Sequence, residues 1–305
     1  MADLLREELA RHDGPLPADA CRLFHGRGHC FDELTFLTVD WFSPVVRAVI
    51  YGERDADTVA QIERALTGFA DSHREVEAVS LQHRHRGASR QHIIHGTLPQ
   101  ACFARERGLR FELDLEANQN IGFFLDASPA RDWVYRVAAG RRVLNLFAYT
   151  CAFSVAALAG GAEHVVNIDL SRPAIAAGGR NHAHNDLDAR RATFLAHDVF
   201  RSTRKLETLG PYELVVIDPP SRQKGSFEAD RDYARLLEHL PPWLAPGAHI
   251  LACLNAPYLD EHFLPELFER KLPHYQLAAR LPQREDFPER DPARCLKMQV
   301  FTAGA

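Results

Sequence analysis

Beyond about residue 130 the apolar positions fall into short runs separated by longer amphipathic stretches. The runs at 142–147, 164–168, 192–197, 212–217 and 248–254 have strand length, and the segments between them carry small and charged residues in a helical rhythm. This β-α-β-α order predicts an α/β unit with a mostly parallel, doubly wound sheet. The tail breaks the alternation: Q-L-A-A-R-L (276–281) and C-L-K-M-Q-V-F (295–301) predict an antiparallel hairpin closing one sheet edge, with D-F-P-E-R-D-P between its arms. Before residue 116 the pattern is less regular. A helix at 4–12, strands at 36–42 and 45–51, and a helix at 54–70 with Val59, Ile62, Leu66 and Phe69 on one face are followed by strands at 75–81, 90–95 and 109–115. These predict a small α+β domain, 1–115, ahead of the α/β domain, 116–305.

With 46% apolar residues the chain can bury a core, yet no stretch reaches the ~20 uninterrupted apolar residues of a membrane span. The first residues mix Asp3, Arg6, Glu7 and Glu8 among leucines, unlike the basic-then-apolar order of a secretory signal. Cys21, Cys30, Cys102, Cys151, Cys253 and Cys295 show no C-x-x-C pair and no metal-ligand spacing, which predicts reduced thiols in a soluble, cytoplasmic protein without a metal. The balance of 36 basic against 41 acidic residues, −5 with His neutral, excludes a uniformly positive surface for gripping nucleic acid. A local patch remains open. Residues 81–110 hold Arg84, Arg86, Arg90, Arg105, Arg107 and Arg110 against Glu106, 6 − 1 = +5, together with His83, His85, His92 and His95.

In an open α/β sheet, ligands collect beyond the carboxyl ends of the strands, at the switch in strand order. Four such ends carry chemistry here. N-L-F-A-Y-T-C-A-F-S (145–154) follows one strand, I-D-L-S with Asp169 and Ser171 the next, H-D-V-F with Asp198 and Val199 the third, and V-I-D-P-P-S-R-Q-K (216–224) the fourth. A dinucleotide pyrophosphate needs the close backbone approach that G-x-G-x-x-G permits, and the first loop has no glycine before Gly160, so NAD is disfavoured. S-adenosylmethionine has no phosphates; its loop accepts an amino-acid tail, while carboxylates after the next two strands take ribose and adenine. Asp169, 22 residues past Phe147, and Asp198 suit those two roles. Either carboxylate taken alone is equally an ordinary helix N-cap.

This ordered series resembles the class I S-adenosylmethionine-dependent methyltransferases of the ribosomal RNA large-subunit I/K/L group. The likeness starts at R-L-F-H-G-R-G-H (22–29) and L-T-V-D-W-F (37–42). It passes through G-L-R-F-E-L-D-L (108–115), N-I-G-F-F-L-D (120–126) and the loops above, and ends at D-F-P-E (286–289) and L-K-M-Q-V-F (296–301). The resemblance implies a Rossmann-like methyltransferase domain, a preceding small domain that helps present RNA, S-adenosylmethionine as cofactor and ribosomal RNA as partner. Carried over by position, Phe124 and Asp126 flank the cofactor, and Asn145, Phe147, Tyr149 and Thr150 form its methionine-side loop. Asp169 with Ser171 holds ribose, and Asp198 with Val199 faces adenine. Asp218, Pro219, Pro220 and Asn255 stand at the methyl group, and Ser221, Arg222 and Lys224 meet the substrate. Where relatives have T-G-G-F and L-D-Q-R, this chain has Thr150-Cys151-Ala152-Phe153 and Leu125-Asp126-Ala127-Ser128, which narrows the loop and removes polar contacts.

Methylation at cytosine C5 requires a thiolate adduct. Relatives that use one carry S-C-S after the fifth strand, where this chain reads Leu254-Asn255-Ala256, with Cys253 two residues earlier on the strand. The expectation is therefore methylation of a nucleobase nitrogen in ribosomal RNA. A methyltransferase for a small molecule or a protein, and a non-catalytic S-adenosylmethionine-binding protein, are the alternatives.

Overall fold

The computed structural model describes residues 2–85, 88–117, 120–220, 222–223 and 227–304. The chain divides into two compact units, Met1–Leu125 with Arg284–Arg290, and Asp126–Gln283 with Asp291–Ala305. The segment 284–290 thus belongs to the first unit although its flanks belong to the second.

The N-terminal unit contains α1 (Ala2–Leu9), β1 (Cys21–His25), β2 (Leu37–Phe42), β3 (Val45–Tyr51), α2 (Ala56–Ser72), β4 (Ala78–His85), β5 (Ala88–Gly96), β6 (Cys102–Glu106) and β7 (Leu109–Leu113). Strands β1 to β5 form one sheet in chain order, and β6 pairs with β7. Only β3 and β4 run parallel within the five, because α2 carries the chain back between them. Asp55 caps α2 by accepting the Thr58 N–H at 2.8 Å, and Ile62, Leu66 and Phe69 bury the face that the spacing predicts. The basic window lies on two separate hairpins, β4–β5 and β6–β7. Three of its histidines face acidic residues: His85 lies 3.0 Å from Glu53, His92 2.8 Å from Glu63 and His95 3.9 Å from Asp71. Arg86 lies outside the described residues.

The C-terminal unit contains α3 (Ser128–Val137), β8 (Arg142–Leu146), α4 (Ala152–Ala159), β9 (His164–Asp169), α5 (Arg172–His184), β10 (Ala192–Ala196), α6 (Thr203–Leu209), β11 (Tyr212–Ile217), β12 (Arg222–Gln223), β13 (Phe227–Glu228), α7 (Ala229–His239), β14 (Leu244–Leu254), α8 (Phe263–Lys271), β15 (Tyr275–Arg280) and β16 (Lys297–Ala303). Its main sheet has the order β10-β9-β8-β11-β14-β16-β15. The first five strands are parallel, and β16 pairs antiparallel with both β14 and β15, which is the hairpin-edged doubly wound sheet that the sequence predicts. Leu144, Leu146, Val166, Ile168, Val215 and Ile217 fill the core toward α7 and α8. On the opposite face, Val143, Val165, Leu214 and Val216 meet α3 and α4 through Ala130, Val134, Phe153 and Ala157. Strand β14 begins four residues before the expected 248. Pro246 and Gly247 read as a break, but they sit in a register shift between Tyr212↔Leu244 and Leu214↔His249. No helix among the described residues is long and apolar enough to cross a membrane.

Candidate active site

The chain runs outward from β8 to β9 to β10, then crosses back to β11 and β14, so the switch in strand order falls between β8 and β11. The register pairs Leu146 with both Ile168 and Ile217, and Ile217 with Ala252. Phe147, Asp169, Asp218 and Cys253 therefore stand at one level, each one residue beyond a paired position at the carboxyl ends.

The loop after β8 has an unusual backbone. Phe147 (φ 57), Tyr149 (φ 47) and Cys151 (φ 61) all adopt the left-handed conformation that glycine favours. Asp169 helps to hold that conformation: its Oδ2 accepts the Tyr149 N–H at 2.9 Å, and its Oδ1 accepts the Ser171 N–H at 2.7 Å. Asn181 of α5 grips the same loop, donating to the Thr150 carbonyl at 2.9 Å. Cys151 fits because α5 has glycine at position 178, where a Cβ would lie 2.3 Å from the thiol sulfur. The cysteine found in place of the relatives' glycine is thus matched by a glycine on the neighbouring helix.

Beneath the loop runs a buried polar chain. The Asn145 amide donates to Asn167 Oδ1 at 2.9 Å, Asn167 donates to Ser154 Oγ at 3.0 Å, and Ser154 meets His182 Nε2 at 2.9 Å. His182 Nδ1 lies 2.7 Å from the Gly178 carbonyl, which must accept, so Nε2 is the ring acceptor and takes the serine proton. Burial lowers the His182 pKa and keeps the ring neutral. This fixed polarity leaves Asn145 Oδ1 as a buried acceptor without a partner among the described residues.

At the next strand ends, Ser171 caps α5 by accepting the Ala174 N–H at 3.3 Å, and Asp198 Oδ1 accepts the Arg201 N–H at 3.2 Å. Both make the N-caps that short polar residues commonly make, and the second Asp198 oxygen has no partner among the described residues. Val199 is buried. Asp218 is partly exposed, and its carboxyl makes no hydrogen bond or ion pair among the described residues. Its pKa is raised to about 7 by burial, with Asp126 adding to the rise and Arg131 of α3 opposing it. Pro219 is buried beside it, and Pro220 is partly exposed. Cys253 is fully buried, and burial together with Asp218 and Asp126 pushes its thiol well above 9. The exposed Asn255 lies one residue past β14, in a loop held by Lys297, which donates to the Ala256 carbonyl at 2.9 Å. Phe147 meets Phe227 edge-on at 4.9 Å, and Phe227 meets Tyr233 at 5.9 Å. Phe124, 42% exposed, belongs to the N-terminal unit, whereas Asp126 opens the C-terminal one. Arg222 is described by its backbone in β12; Ser221 and Lys224 lie outside the described residues.

The sequence matches the S-adenosylmethionine-dependent methyltransferase family over residues 21–302. The chain belongs to this family. Ribosomal RNA large subunit methyltransferase I of Aeromonas salmonicida (strain A449) is 30% identical over 228 residues, covering 72% of this chain and 57% of that protein. Ribosomal RNA large subunit methyltransferase K/L of Shewanella sp. (strain MR-4) is 37% identical over 157 residues, covering 49% and 22%. The chain thus spans little more than half of the first relative and about a fifth of the second. A SAM-dependent methyltransferase from Streptococcus mutans shares the fold, with a TM-score of 0.84 at 23% identity over 99% of this chain and 80% of that one.

The family's cofactor is S-adenosylmethionine, a cationic nucleoside with a ribose diol and an ammonium group. The acceptors at the strand ends fit it: among the described residues Asn145 Oδ1 is buried without a partner, Asp198 keeps one oxygen without a partner, and each Asp169 oxygen accepts one hydrogen bond and has a second lone pair. Sequence reading alone misses Asn167, Ser154, His182, Arg131 and Lys297. Asn167 leaves one signal, a polar residue inside the apolar run of a central strand.

Proposed function

We propose that this methyltransferase transfers a methyl group to a nucleobase nitrogen of ribosomal RNA, as a cytoplasmic enzyme whose N-terminal domain, 1–115, helps to present the RNA. The names of the curated relatives support the substrate class. The observation that carries the chemistry is the Asp218 carboxyl: without a hydrogen-bond or ion-pair partner among the described residues, at the switch point, and raised to about 7.

S-adenosylmethionine supplies an electrophilic methyl group. Asp218, ionised above its pKa, accepts a hydrogen bond from the N–H of the target base and aims the nitrogen lone pair; as the nitrogen–carbon bond forms, it takes the proton that leaves. Pro219 and Pro220 fix φ on both sides, and the Pro219 carbonyl accepts a second base hydrogen. Asp169 with Ser171 supports ribose, Asp198 with Val199 adenine, and Asp126, Asn145, Phe147, Tyr149 and Thr150 the remaining cofactor surface. Asn255 borders the methyl group, while Ser221, Arg222 and Lys224 meet the RNA. The base is unstacked to reach this level. Attack at cytosine C5 is disfavoured because the Cys253 thiol stays protonated at neutral pH, so the nucleophile that route needs is missing.

The test compares modified nucleosides in ribosomal RNA from strains with and without the protein, alongside calorimetric titration with S-adenosylmethionine. One N-methylated nucleoside absent from the deletion strain is expected. An unchanged nucleoside profile, with cofactor binding intact, would refute the RNA substrate and leave a small molecule or a protein as acceptor. Asp218→Ala should abolish transfer while leaving cofactor affinity within a few-fold.

A further inference from the structure

One face of the N-terminal sheet packs on α1 and α2 through Val39, Trp41, Val46, Ala48, Ile50 and Leu81. The other face carries a buried polar row between the apolar positions Val45 and Val49. Directly paired positions across it read Arg22, Asp40, Arg47 and Ser80 on β1 to β4. The charges in this row do not balance. Both oxygens of Asp40 are committed to Arg22, accepting Nε at 2.7 Å and Nη2 at 3.3 Å. Arg47 is 4% exposed and donates one bond from Nη2 to the neutral Oε1 of Gln82; its Nε has no acceptor, and it makes no ion pair among the described residues. The same Gln82 oxygen accepts from Arg84 Nε at 2.9 Å, so two guanidiniums converge on one uncharged group. The fully buried Ser80, cross-strand neighbour of Arg47, has a hydroxyl with no partner among the described residues. Arg27 and Arg84 lie over Tyr51 at 4.6 and 5.8 Å and add positive potential at the partly exposed end of the row.

A buried guanidinium whose one neighbouring carboxylate, Asp40, is already hydrogen-bonded to a second arginine is left only partly compensated, which is disfavoured. Burial lowers the Arg47 pKa to about 10 although Asp40 opposes the shift, which still leaves it cationic at neutral pH. We propose that Arg47 and Ser80 form a binding site for a phosphate group, entered from the Tyr51–Arg84 end of the sheet face. A phosphate has enough oxygens to accept from the Arg47 Nε and from the Ser80 hydroxyl at once, and its charge neutralises the guanidinium. It can be a backbone phosphate of RNA, which rests on the function proposed above, or inorganic phosphate, which does not.

Thermal unfolding of the wild type, Arg47→Met and Ser80→Ala is compared in phosphate and in chloride at equal ionic strength. A single-stranded ribosomal RNA oligonucleotide is titrated with the wild type and Arg47→Met over a range of salt. Phosphate should raise the wild-type Tm in a saturable way and leave Arg47→Met unmoved, with a weakened response in Ser80→Ala. In chloride, Arg47→Met should melt no lower than the wild type, because methionine removes a buried charge that the shared Asp40 carboxylate only partly compensates. If RNA supplies the phosphate, Arg47→Met lowers the slope of log K against log salt by about 0.7 and the affinity by roughly tenfold. A phosphate response with an unchanged slope assigns the site to the free anion. A wild type insensitive to phosphate with an unchanged slope, or an Arg47→Met that melts well below the wild type in chloride, would overturn the proposal. Failure of the enzymatic reading shows separately, as a wild type that does not bind S-adenosylmethionine.

Discussion

Cys151 occupies a left-handed position, φ 61, that costs an L-residue about 1–2 kcal/mol, and its sulfur fills the space left by the missing side chain of Gly178. The two residues are therefore coupled. Gly178→Ala should destabilise the protein by about 1–3 kcal/mol in urea unfolding, since the new Cβ meets the sulfur at 2.3 Å and Cys151 Cβ at 2.9 Å. Adding Cys151→Gly should recover most of that loss; strictly additive effects would show that the two side chains do not share this space. Asp218 is coupled to pH instead. Its carboxyl has an ordinary value of 3.8 when unfolded and is raised to about 7 when folded, so its contribution to stability is fully present below 3.8 and is lost as pH rises through about 7. Asp218→Asn, which cannot ionise, should gain roughly 1–3 kcal/mol on the wild type between pH 4 and pH 8, after allowance for the partial exposure of the residue. Parallel stability profiles across that range would place the carboxyl in a solvated setting. Methyl transfer by the wild type should rise over the same interval, as the acceptor ionises.

At the scale of elements, β8, β9, α4 and α5 are joined by the chain from Asn145 through Asn167 and Ser154 to His182, with every bond polarised in one direction by the Gly178 carbonyl. Ser154→Ala removes the acceptor of Asn167 and the donor to His182 together. It should cost about 2–4 kcal/mol in denaturant, well above the cost of trimming an exposed serine. A loss under about 0.5 kcal/mol would mean that water serves these groups equally well. This chain also marks the limit of what the sequence reveals. Strands such as β11, the last part of β14 and the hairpin arm β16 are visible because they bury apolar runs, whereas β10 and the other hairpin arm, β15, bury little and show only as short stretches of strand length. Asp169, Asp198 and Asp218 are visible as carboxylates just past such runs. Helix α3 is not, although Ser128 and Pro129 at its first turn form a start signal, and β1 is interrupted by the polar Arg22 and His25. Asn167, Ser154 and His182 lie 13 to 28 residues apart and meet only through strand order. No local spacing carries that. Asp198 shows the converse case, a carboxylate that caps a short helix while keeping one oxygen open, so the two readings of its position in the sequence are compatible.

Over the whole molecule, chain order and structural membership part company at 284–290. These residues lie between β15 and β16 of the C-terminal sheet but belong to the N-terminal unit. Asp286 is the anchor: it accepts the Arg22 N–H of β1 at 2.8 Å and two bonds from Arg284 at 2.6 Å. Phe287 completes the attachment, with the Arg22 guanidinium 4.2 Å from its ring centroid and His25 at 4.9 Å. Burial opposes the charge on Asp286, but the Arg284 side chain and the Arg22 N–H outweigh it and hold its pKa below the usual carboxylate value. Asp286→Ala leaves the β1 donor without its acceptor, at a cost of about 1–3 kcal/mol. Because the segment serves the N-terminal unit, that loss should be local. Amide hydrogen exchange should quicken along β1 and its neighbour β2 while β8, β9 and β11 keep their protection. Equal acceleration in both sheets would show that 284–290 supports the C-terminal unit as well. It would follow that the N-terminal domain cannot be isolated at full stability by ending the chain near residue 125, since the residues that satisfy β1 arrive 160 positions later.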